Sequence, residues 1–479
     1  MAADTTLYWH DYETWGVDPS VDRPCQFAGV RTDEDLNIIG DPLVEYCKPA
    51  VDILPHPQAC LITGITPQKA TKAGLPENEF IDRIHSELNQ PGTCGVGYNS
   101  IRFDDEVTRY TLFRNFYDPY EREWANGNSR WDIIDMVRLC YALRPDGIEW
   151  PKQEGRPSFR LELLTQANNI SHAAAHDAYS DVEATIKLAA LIKRKQPALY
   201  DYVYQHRQKK SLLPLVDLQQ RKPLLHVSSM ISSEHGCTTL VMPLAFHPTN
   251  KNALIVFDLT FDPQDLIALS AEELQQRVFT SREDLPEGVA RVPLKCIHLN
   301  KCPILGTAKL LDENAATRLG ISKSACERNW LTLKHHDLRE KVQQVMGGND
   351  FAPRENPERQ LYQSFIPKQD KKIMIDVRLA KQDLDVEKMK ARLTDPRLQE
   401  ILWLYKARNF PDSLDPSSSV EWRDFVRKRL LNGAEGVQSI EMFISAVTSL
   451  EMQEGQSDTN LALLQQLRLY TSELKTAFA

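Results

Sequence analysis

Two acidic residues near the start of the chain have the spacing of a metal site. If the segment around Asp11-Tyr12-Glu13 is a strand, the first and third side chains project from the same face. Two carboxylates there repel each other unless a cation lies between them, and Mg²⁺ prefers such oxygen ligands. The same spacing is common by chance on solvated strands, and Asp181-Val182-Glu183 repeats it. The pair therefore indicates a metal site only if further ligands join it.

A second acidic group stands where a buried strand is predicted to end and a helix to begin, in Gly97-Tyr98-Asn99-Ser100-Ile101-Arg102-Phe103-Asp104. This arrangement brings Asp104 to the edge of a sheet. Asp104, Asp105 and Glu106 also fit simple helix capping, since an acid in the first turn gains roughly 0.3–1 kcal/mol from the helix dipole. One of the three can still face a metal.

A histidine and an aspartate lie together in His176-Asp177-Ala178-Tyr179-Ser180-Asp181. In a helix that begins near Asp177, Asp181 lies one turn in and His176 just before the first turn. A histidine of ordinary pKa, near 6.5, can take a proton from water at neutral pH, which an ordinary carboxylate does poorly. The segment is typical of a fixed metal ligand beside a general base, although His176 can also be a mere decoration of a helix N-terminus.

The elements that must position these residues follow from apolar periodicity. Three strands are predicted at Thr6–Thr14, Gln26–Thr32 and Ile38–Cys47, and they form an antiparallel meander. A buried strand at Thr93–Tyr98 and a helix at Asp104–Asn115 follow. Strands alternating with helices predict a mixed α/β sheet. The helix from Asp177 carries an apolar stripe, suited to packing on the sheet, of Val182, Ile186 and Ala189.

The rest of the chain divides into two further regions. Short apolar runs between Leu212 and Leu305, broken by Pro, Asn and Gly, predict a small β-barrel. After the polar stretch Gly347-Gly348-Asn349-Asp350, amphipathic helices are predicted to the end of the chain. We therefore predict three domains at residues 1–196, 197–350 and 351–479.

The composition limits the class of protein. The 479 residues are 42% apolar and 26% charged, as in soluble globular proteins, and neither a membrane-spanning run nor a signal peptide is present. A cytoplasmic protein is expected. Nine cysteines without zinc-site spacing indicate reduced thiols. The formal charge of −9 does not exclude nucleic acid, because residues 193–222 hold eight basic side chains against two acidic ones.

Taken together, the acidic residues and the histidine resemble the DEDDh exonuclease superfamily. Asp11, Glu13, Asp104, His176 and Asp181 match its five motif positions without departure. Longer phrases resemble the bacterial exodeoxyribonuclease I family within it, across all three predicted domains. They are His10–Gly16, Leu61–Gln68, Tyr98–Arg109, Pro157–Glu162, Asn300–Pro303 and Ala407–Pro411.

The resemblance implies a fold, a reaction and a partner. It implies an α/β ribonuclease H-like exonuclease domain, an SH3-like β-barrel domain and an all-helical C-terminal domain. It implies 3′-5′ degradation of single-stranded DNA to 5′-mononucleotides in DNA repair and recombination. Four carboxylates, of Asp11, Glu13, Asp104 and Asp181, would hold two Mg²⁺ ions, with Mn²⁺ as an alternative, and His176 would act as the base. The implied partner is the acidic tail of single-stranded DNA-binding protein, for which the basic segment around Lys222 is a candidate receiver.

Substrate contacts are predicted less directly. Arg160 matches a substrate-binding arginine of the family, with an ordinary surface ion pair as the alternative, and backbone groups near Glu13 and Thr14 are candidates to read the 3′ hydroxyl. Aromatics alternate with cations along Arg109, Arg114, Tyr117, Tyr120, Trp124, Arg130 and Trp131, as a single-strand channel requires, although core packing explains them equally well. The predicted DNA contacts are Arg109, Tyr120, Trp124, Arg138, Lys209, His298, Lys301 and Tyr362.

Two other functions share these features. An RNA-trimming or proofreading exonuclease of the superfamily would have the same five residues but would resemble only the first domain. A non-enzymatic single-strand binding module would require a broken metal site, which the sequence does not have. A monomeric enzyme acting on DNA is therefore the hypothesis.

Overall fold

The structure, a computed structural model, describes residues 5–172, 177–348 and 354–478. The chain forms two compact units, each described by itself below. The first unit comprises Met1–Ser129, Ala173–Glu183 and Ala352–Ala479, and the second comprises Arg130–His172 and Ala184–Phe351.

The first unit begins with the predicted antiparallel meander. The strands are β1 Thr6–Thr14, β2 Pro24–Thr32, β3 Ile38–Tyr46 and β4 Thr93–Gly97. They lie in the order β3-β2-β1-β4, with β1 antiparallel to β2 and parallel to β4. The prediction of a mixed sheet is confirmed, and a parallel pair places the carboxyl ends of β1 and β4 at the same edge.

Helices follow these strands in the first unit. They are α1 Pro57–Thr63, α2 Pro67–Ala73, α3 Glu77–Leu88 and α4 Asp104–Arg114. The α3 helix buries Phe80, Ile81 and Ile84 in one cluster with Tyr12 and Phe27 of the sheet. Burial of these aromatic and branched side chains, at about 25 cal/mol per Å², fixes the sheet that carries the acidic residues.

The chain continues through elements that pass into the second unit. They are β5 Ser129–Asp132, α5 Ile134–Leu143, β6 Lys152–Gln153, β7 Arg156–Pro157, α6 Leu161–Ala167, α7 Ala178–Lys195, α8 Pro197–Gln205 and α9 Lys209–Leu212. The apolar stripe predicted on α7 is buried, with Val182 1%, Ile186 7% and Ala189 0% exposed.

A second sheet forms the body of the second unit. Its strands are β8 Leu224–Val227, β9 Thr238–Phe246, β10 Ala253–Asp258, β11 Leu294–His298 and β12 Ile304–Thr307. They lie in the order β11-β10-β9-β8-β12, and each pair is antiparallel. The helices of this part of the chain are α10 Gln264–Ala268, α11 Ala271–Phe279, α12 Glu313–Arg318, α13 Lys323–Lys334 and α14 Arg339–Gly347.

The C-terminal part is helical, as predicted. Its helices are α15 Lys368–Ala380, α16 Val386–Arg392, α17 Pro396–Asn409, α18 Pro416–Asn432, α19 Ile440–Glu451 and α20 Asp458–Phe478. These helices pack onto the N-terminal part of the same unit, where Trp15, Leu54 and Cys60 share one core with Phe443 and Leu467.

A buried network of ion pairs crosses the same packing surface. Asp52 pairs with Arg408 at 2.7 Å and with Arg429 at 2.6 Å, while Glu358 pairs with Arg408 at 2.6 Å and with Arg23 at 2.8 Å. Burial opposes the ionisation of Asp52, but the surrounding guanidinium groups outweigh it and lower its pKa to about 2. The N-terminal and C-terminal segments of the first unit therefore share buried charges.

The state of the cysteines and the hydropathy of the helices concern the chain as a whole. All nine cysteines lie in the described residues and are free thiols, and eight of them are buried. Across residues 5–172, 177–348 and 354–478, helices of bilayer-crossing length and apolarity are absent.

Candidate active site

Three carboxylates converge beside the end of β1. Asp11 and Glu13 project from the same face of that strand, and Asp181 comes from the first turn of α7. One oxygen from each of the three lies within 4.8 Å of the others, and all three side chains are at least partly buried. This spacing fits a group of ligands around a divalent cation.

The fourth acidic candidate supports this group from the neighbouring strand. After β4 ends at Gly97, Asn99 turns the chain with φ of 62°, and α4 begins at Asp104. The Asp104 carboxylate is 4% exposed and accepts the backbone N–H of Tyr12 at 3.1 Å. Asp104 is thereby tied to the residue between Asp11 and Glu13, although it is not one of the three carboxylates within 4.8 Å.

The electrostatics of this group favour a bound cation. Burial, followed by the charges of Asp104, Glu13 and Asp181, raises the pKa of Asp11 well above its ordinary value. Burial and then the charges of Asp181 and Asp104 raise the pKa of Glu13 to about 8. Ionised carboxylates this close and this shielded from water repel one another, and a cation removes that repulsion.

Asp177 is a contributor that the sequence reasoning did not assign. Its charge also raises the pKa values of Asp11 and Glu13, and its side chain caps α7 by accepting the backbone N–H of Ser180 at 3.2 Å. Asp177 lies four positions, or one helical turn, before Asp181, so the spacing of the two aspartates in the sequence could have identified it.

A layer of buried polar groups lies behind the carboxylates. Thr108 donates to the Asp104 carbonyl at 2.8 Å, and its hydroxyl oxygen accepts from the Tyr12 hydroxyl at 3.1 Å. Asp105 pairs with Arg122 at 2.5 Å, and both are nearly fully buried. Burial lowers the pKa of His10 to about 4, so this histidine, which alternates to the opposite face from Asp11, is neutral at physiological pH.

The predicted general base falls outside the described residues. His176 lies in the gap between residues 172 and 177, so its role as a base stays a prediction. The predicted phosphate ligand, Arg160, precedes α6 in the second unit, where its side chain is 61% exposed and pairs with Glu162. Its role in binding substrate also stays a prediction.

The predicted DNA contacts of the first unit have different environments. Arg109 is buried, pairs with Glu123 at 2.7 Å and with Glu106 at 2.9 Å, and donates to the Tyr362 hydroxyl at 3.0 Å. Its guanidinium also lies over the ring of Tyr120, with 5.4 Å to the centroid. The structure therefore places Arg109 in internal ion pairs.

Trp124 of the first unit has a different environment, since it is 66% exposed. In the second unit, Arg138 bonds Asp135 at 2.6 Å, and Lys209 donates to Asn252 at 2.7 Å. Burial lowers the pKa of His298, and Lys301 is exposed. Contact of these residues with DNA stays a prediction.

Core packing accounts for most of the other residues in the aromatic and basic alternation. Arg114, Tyr117, Arg130 and Trp131 are 4%, 7%, 6% and 1% exposed. The alternation of residue types does not separate a channel wall from a packed interior.

Comparisons with known proteins match the chain along nearly its whole length. Family profiles match residues 8–189 as Exonuclease, 207–347 as Exonuclease I SH3-like domain and 355–474 as Exonuclease I C-terminal domain. The predicted fold class is thereby confirmed. The predicted boundaries at residues 196 and 350 stay predictions.

Relatives and solved structures agree with these profiles. Exodeoxyribonuclease I of Haemophilus influenzae is 47% identical, covering 99% of this chain and 100% of the relative. The zinc-bound form of an Escherichia coli exonuclease I complex with single-stranded DNA matches with a TM-score of 0.92 and 44% identity, covering 98% of this chain and 100% of that one. A structure of SSB/exonuclease I with the inhibitor CFAM matches with a TM-score of 0.89 and 42% identity, covering 98% and 100%. The chain therefore belongs to the exodeoxyribonuclease I family.

Proposed function

We propose that this enzyme hydrolyses single-stranded DNA from its 3′ end and releases 5′-mononucleotides. The observation that carries the proposal is the convergence of Asp11, Glu13 and Asp181, with oxygens within 4.8 Å, in a chain that belongs to this family from end to end. Carboxylates from distant segments, buried together with raised pKa values, are costly unless they serve chemistry.

The donor set fits hard divalent cations. Asp11, Glu13, Asp104 and Asp181 supply only oxygen ligands, which suits Mg²⁺, with Mn²⁺ as an alternative ion. Two such ions, when bound, would lower the pKa of a water molecule and stabilise the departing 3′ oxygen. The zinc-bound form of the E. coli relative supports metal binding in this family, and the position and identity of the ion are part of our proposal.

The chain's own residues take the remaining roles. We assign His176 as the base that removes the proton of the attacking water, because a neutral imidazole accepts a proton near pH 7. Backbone groups near Glu13 and Thr14 are assigned to the 3′ hydroxyl. Arg160 is assigned to a phosphate of the strand, since an exposed guanidinium can donate two parallel hydrogen bonds.

The partners follow from charge and from the relatives. Single-stranded DNA appears in the E. coli complex, and SSB appears with exonuclease I in a second matching structure. We propose that the basic segment around Lys222 receives the acidic tail of single-stranded DNA-binding protein. Lys222, with 62% of its side chain exposed, is part of that segment. We further propose a monomeric cytoplasmic enzyme that acts in DNA repair and recombination.

The direct test is digestion of a single-stranded DNA oligomer labelled at its 5′ end, with and without Mg²⁺. The expected result is a metal-dependent ladder that shortens from the 3′ end, while a matched RNA oligomer stays intact. Asp181→Ala should abolish the ladder, and Asp41→Ala, a change of an exposed carboxylate on β3, should not. Equal digestion of RNA would favour the RNA-trimming alternative. If the wild-type protein binds DNA without shortening it, the proposed exonuclease activity is refuted.

A further inference from the structure

The loop between β1 and β2, residues 15–23, begins two positions after Glu13. The pairing of β1 with β2 is irregular between Glu13 and Thr14, where Thr14 already faces Pro24. Where the loop leaves the strands, the Trp15 N–H donates to the Arg23 carbonyl at 2.9 Å, and the Thr14 hydroxyl donates to the Gly16 carbonyl at 2.6 Å. The conformation of the loop therefore sets the end of the strand that carries Glu13.

The loop is densely packed within itself. The Asp18 N–H donates to the Asp22 carboxylate at 2.8 Å, and the Ser20 hydroxyl donates to the Asp18 carboxylate at 2.5 Å. A Cβ added at Gly16 would lie 2.3 Å from an Asp22 oxygen and 2.4 Å from the His56 ring. A side chain at residue 16 would therefore displace the side chains of Asp22 and His56.

Three side chains from the C-terminal part of the chain hold this loop from outside. Arg354 donates to the Ser20 hydroxyl oxygen at 3.0 Å, and Glu358 pairs with Arg23 at 2.8 Å. The third is Arg359, which contacts two side chains of the loop. Arg359 contacts the Asp18 carboxylate at 3.1 Å, the Ser20 hydroxyl at 3.2 Å and the Glu435 carboxylate at 2.9 Å. Its side chain is 12% exposed. A Cβ added at Gly436 would lie 2.8 Å from its guanidinium, so the segment around Glu435 fits closely against it.

We infer that Arg359 is a positioning residue of the exonuclease reaction, which holds loop 15–23 and thereby the end of β1 that carries Glu13. The inference rests on the proposed function. In this inference Arg359 acts through Asp18 and Ser20. Since a misplacement of about 1 Å at a reacting centre can cost about a hundredfold in rate, loss of this contact should appear in kcat.

The chemistry of the contact distinguishes arginine from lysine. A planar guanidinium reaches Asp18, Ser20 and Glu435 through different nitrogens, whereas an ammonium group is a single point of charge. Arg359→Lys should therefore restore part of the function that Arg359→Ala loses. Arg468, which pairs with Glu451 at 2.7 Å between α19 and α20, offers a matched control elsewhere in the helical region.

The experiment compares kcat and KM on a long single-stranded DNA oligomer for the wild-type chain, Arg359→Ala, Arg359→Lys and Arg468→Ala. For Arg359→Ala we expect kcat to fall about ten- to a hundredfold. KM should stay within about twofold, because many contacts along the strand hold the DNA. Arg359→Lys should recover part of the loss, and Arg468→Ala should keep the wild-type kcat. Binding of Mn²⁺ to the DNA-free proteins, followed by electron paramagnetic resonance, should be weaker for Arg359→Ala than for Arg468→Ala.

Asp18→Asn provides a second variant with an almost unchanged shape, and it decides the matter if Arg359→Ala fails to fold. It should lower kcat in the same direction, with a melting temperature close to wild type. The inference is overturned if Arg359→Ala or Asp18→Asn loses no more kcat than Arg468→Ala. Failure of the wild-type chain to shorten single-stranded DNA would refute the proposed function instead.

Discussion

Replacing Asp181 by Asn should make the metal-free protein more stable at high pH while abolishing its activity. The rise in the pKa of Glu13 from its ordinary 4.5 to about 8 means that ionising Glu13 in the folded chain costs roughly 5 kcal/mol more than in the unfolded chain. Burial is the largest cause and Asp181 the next. Two unit charges 4.8 Å apart repel by about 3.5 kcal/mol at an effective dielectric constant near 20. Because uptake of a proton by the cluster relieves part of this repulsion, we expect a net gain of about 1–3 kcal/mol from the removal of Asp181.

The sign of this effect depends on pH. The folded pKa of Glu13 is raised, so its contribution to stability is fully present below pH 4.5 and is lost as the pH rises through about 8. The advantage of Asp181→Asn should therefore be small near about pH 5, where Glu13 is protonated in the folded chain, and full near about pH 9. Urea unfolding in EDTA, followed by tryptophan fluorescence at both pH values, measures the difference.

Two controls make the measurement decisive. Asp41→Asn, which removes an exposed carboxylate on β3, should leave the unfolding midpoint unchanged at both pH values. Added Mg²⁺ should reverse the order at high pH, because the wild-type site binds the ion more tightly and gains more stability from it. A variant that is no more stable than wild type at high pH, or whose gain is equal at both pH values, would refute the electrostatic account of this site.

Three further substitutions test other parts of the molecule. Asp104→Asn should weaken Mn²⁺ binding at least about tenfold, because the Asp104 carboxylate adds negative charge beside Asp11 and accepts the backbone N–H of Tyr12. An unchanged affinity in titration calorimetry would contradict this. Trp124→Ala should weaken single-stranded DNA binding by about 1–3 kcal/mol through lost stacking and leave the melting temperature unchanged, since the ring is 66% exposed. Fluorescence anisotropy measures that affinity, and a wild-type value would remove Trp124 from the DNA path. Asp52→Ala should lower the free energy of unfolding by about 3–5 kcal/mol because it leaves Arg408 and Arg429 buried without their partner, and a denaturant midpoint near wild type would show that the network adds little.

The sequence predicted the sheet that carries the site because its apolar periodicity is local. The first strand was predicted at Thr6–Thr14 and has those bounds in the structure, and the last helix of the region begins one residue from the prediction, at Ala178. The strand at Thr93 ends at Gly97, one residue earlier than predicted, because Asn99 adopts a left-handed backbone conformation. Local patterns therefore place these elements to within a residue or two.

Contacts between distant segments could not be predicted in this way. The proximity of Asp181 to Asp11 was expected only from the resemblance, since 170 positions separate them in the sequence. Nothing in the residues near Arg109 distinguishes a DNA ligand from the ion-paired side chain that the structure describes. Its partners, Glu123 and Tyr362, are identified by folding and not by spacing along the chain.

The buried charges shared by Asp52, Arg23, Glu358, Arg408 and Arg429 bear on how this chain can be shortened. A fragment that stops after α7 keeps the carboxylate of Asp52 but loses the guanidinium groups of Arg408 and Arg429 that neutralise it. It also uncovers the apolar surface on which the last four helices pack, and a large bare patch of this kind favours aggregation. A minimal nuclease cut from this chain must therefore retain its distal third, or carry redesigned residues on that face.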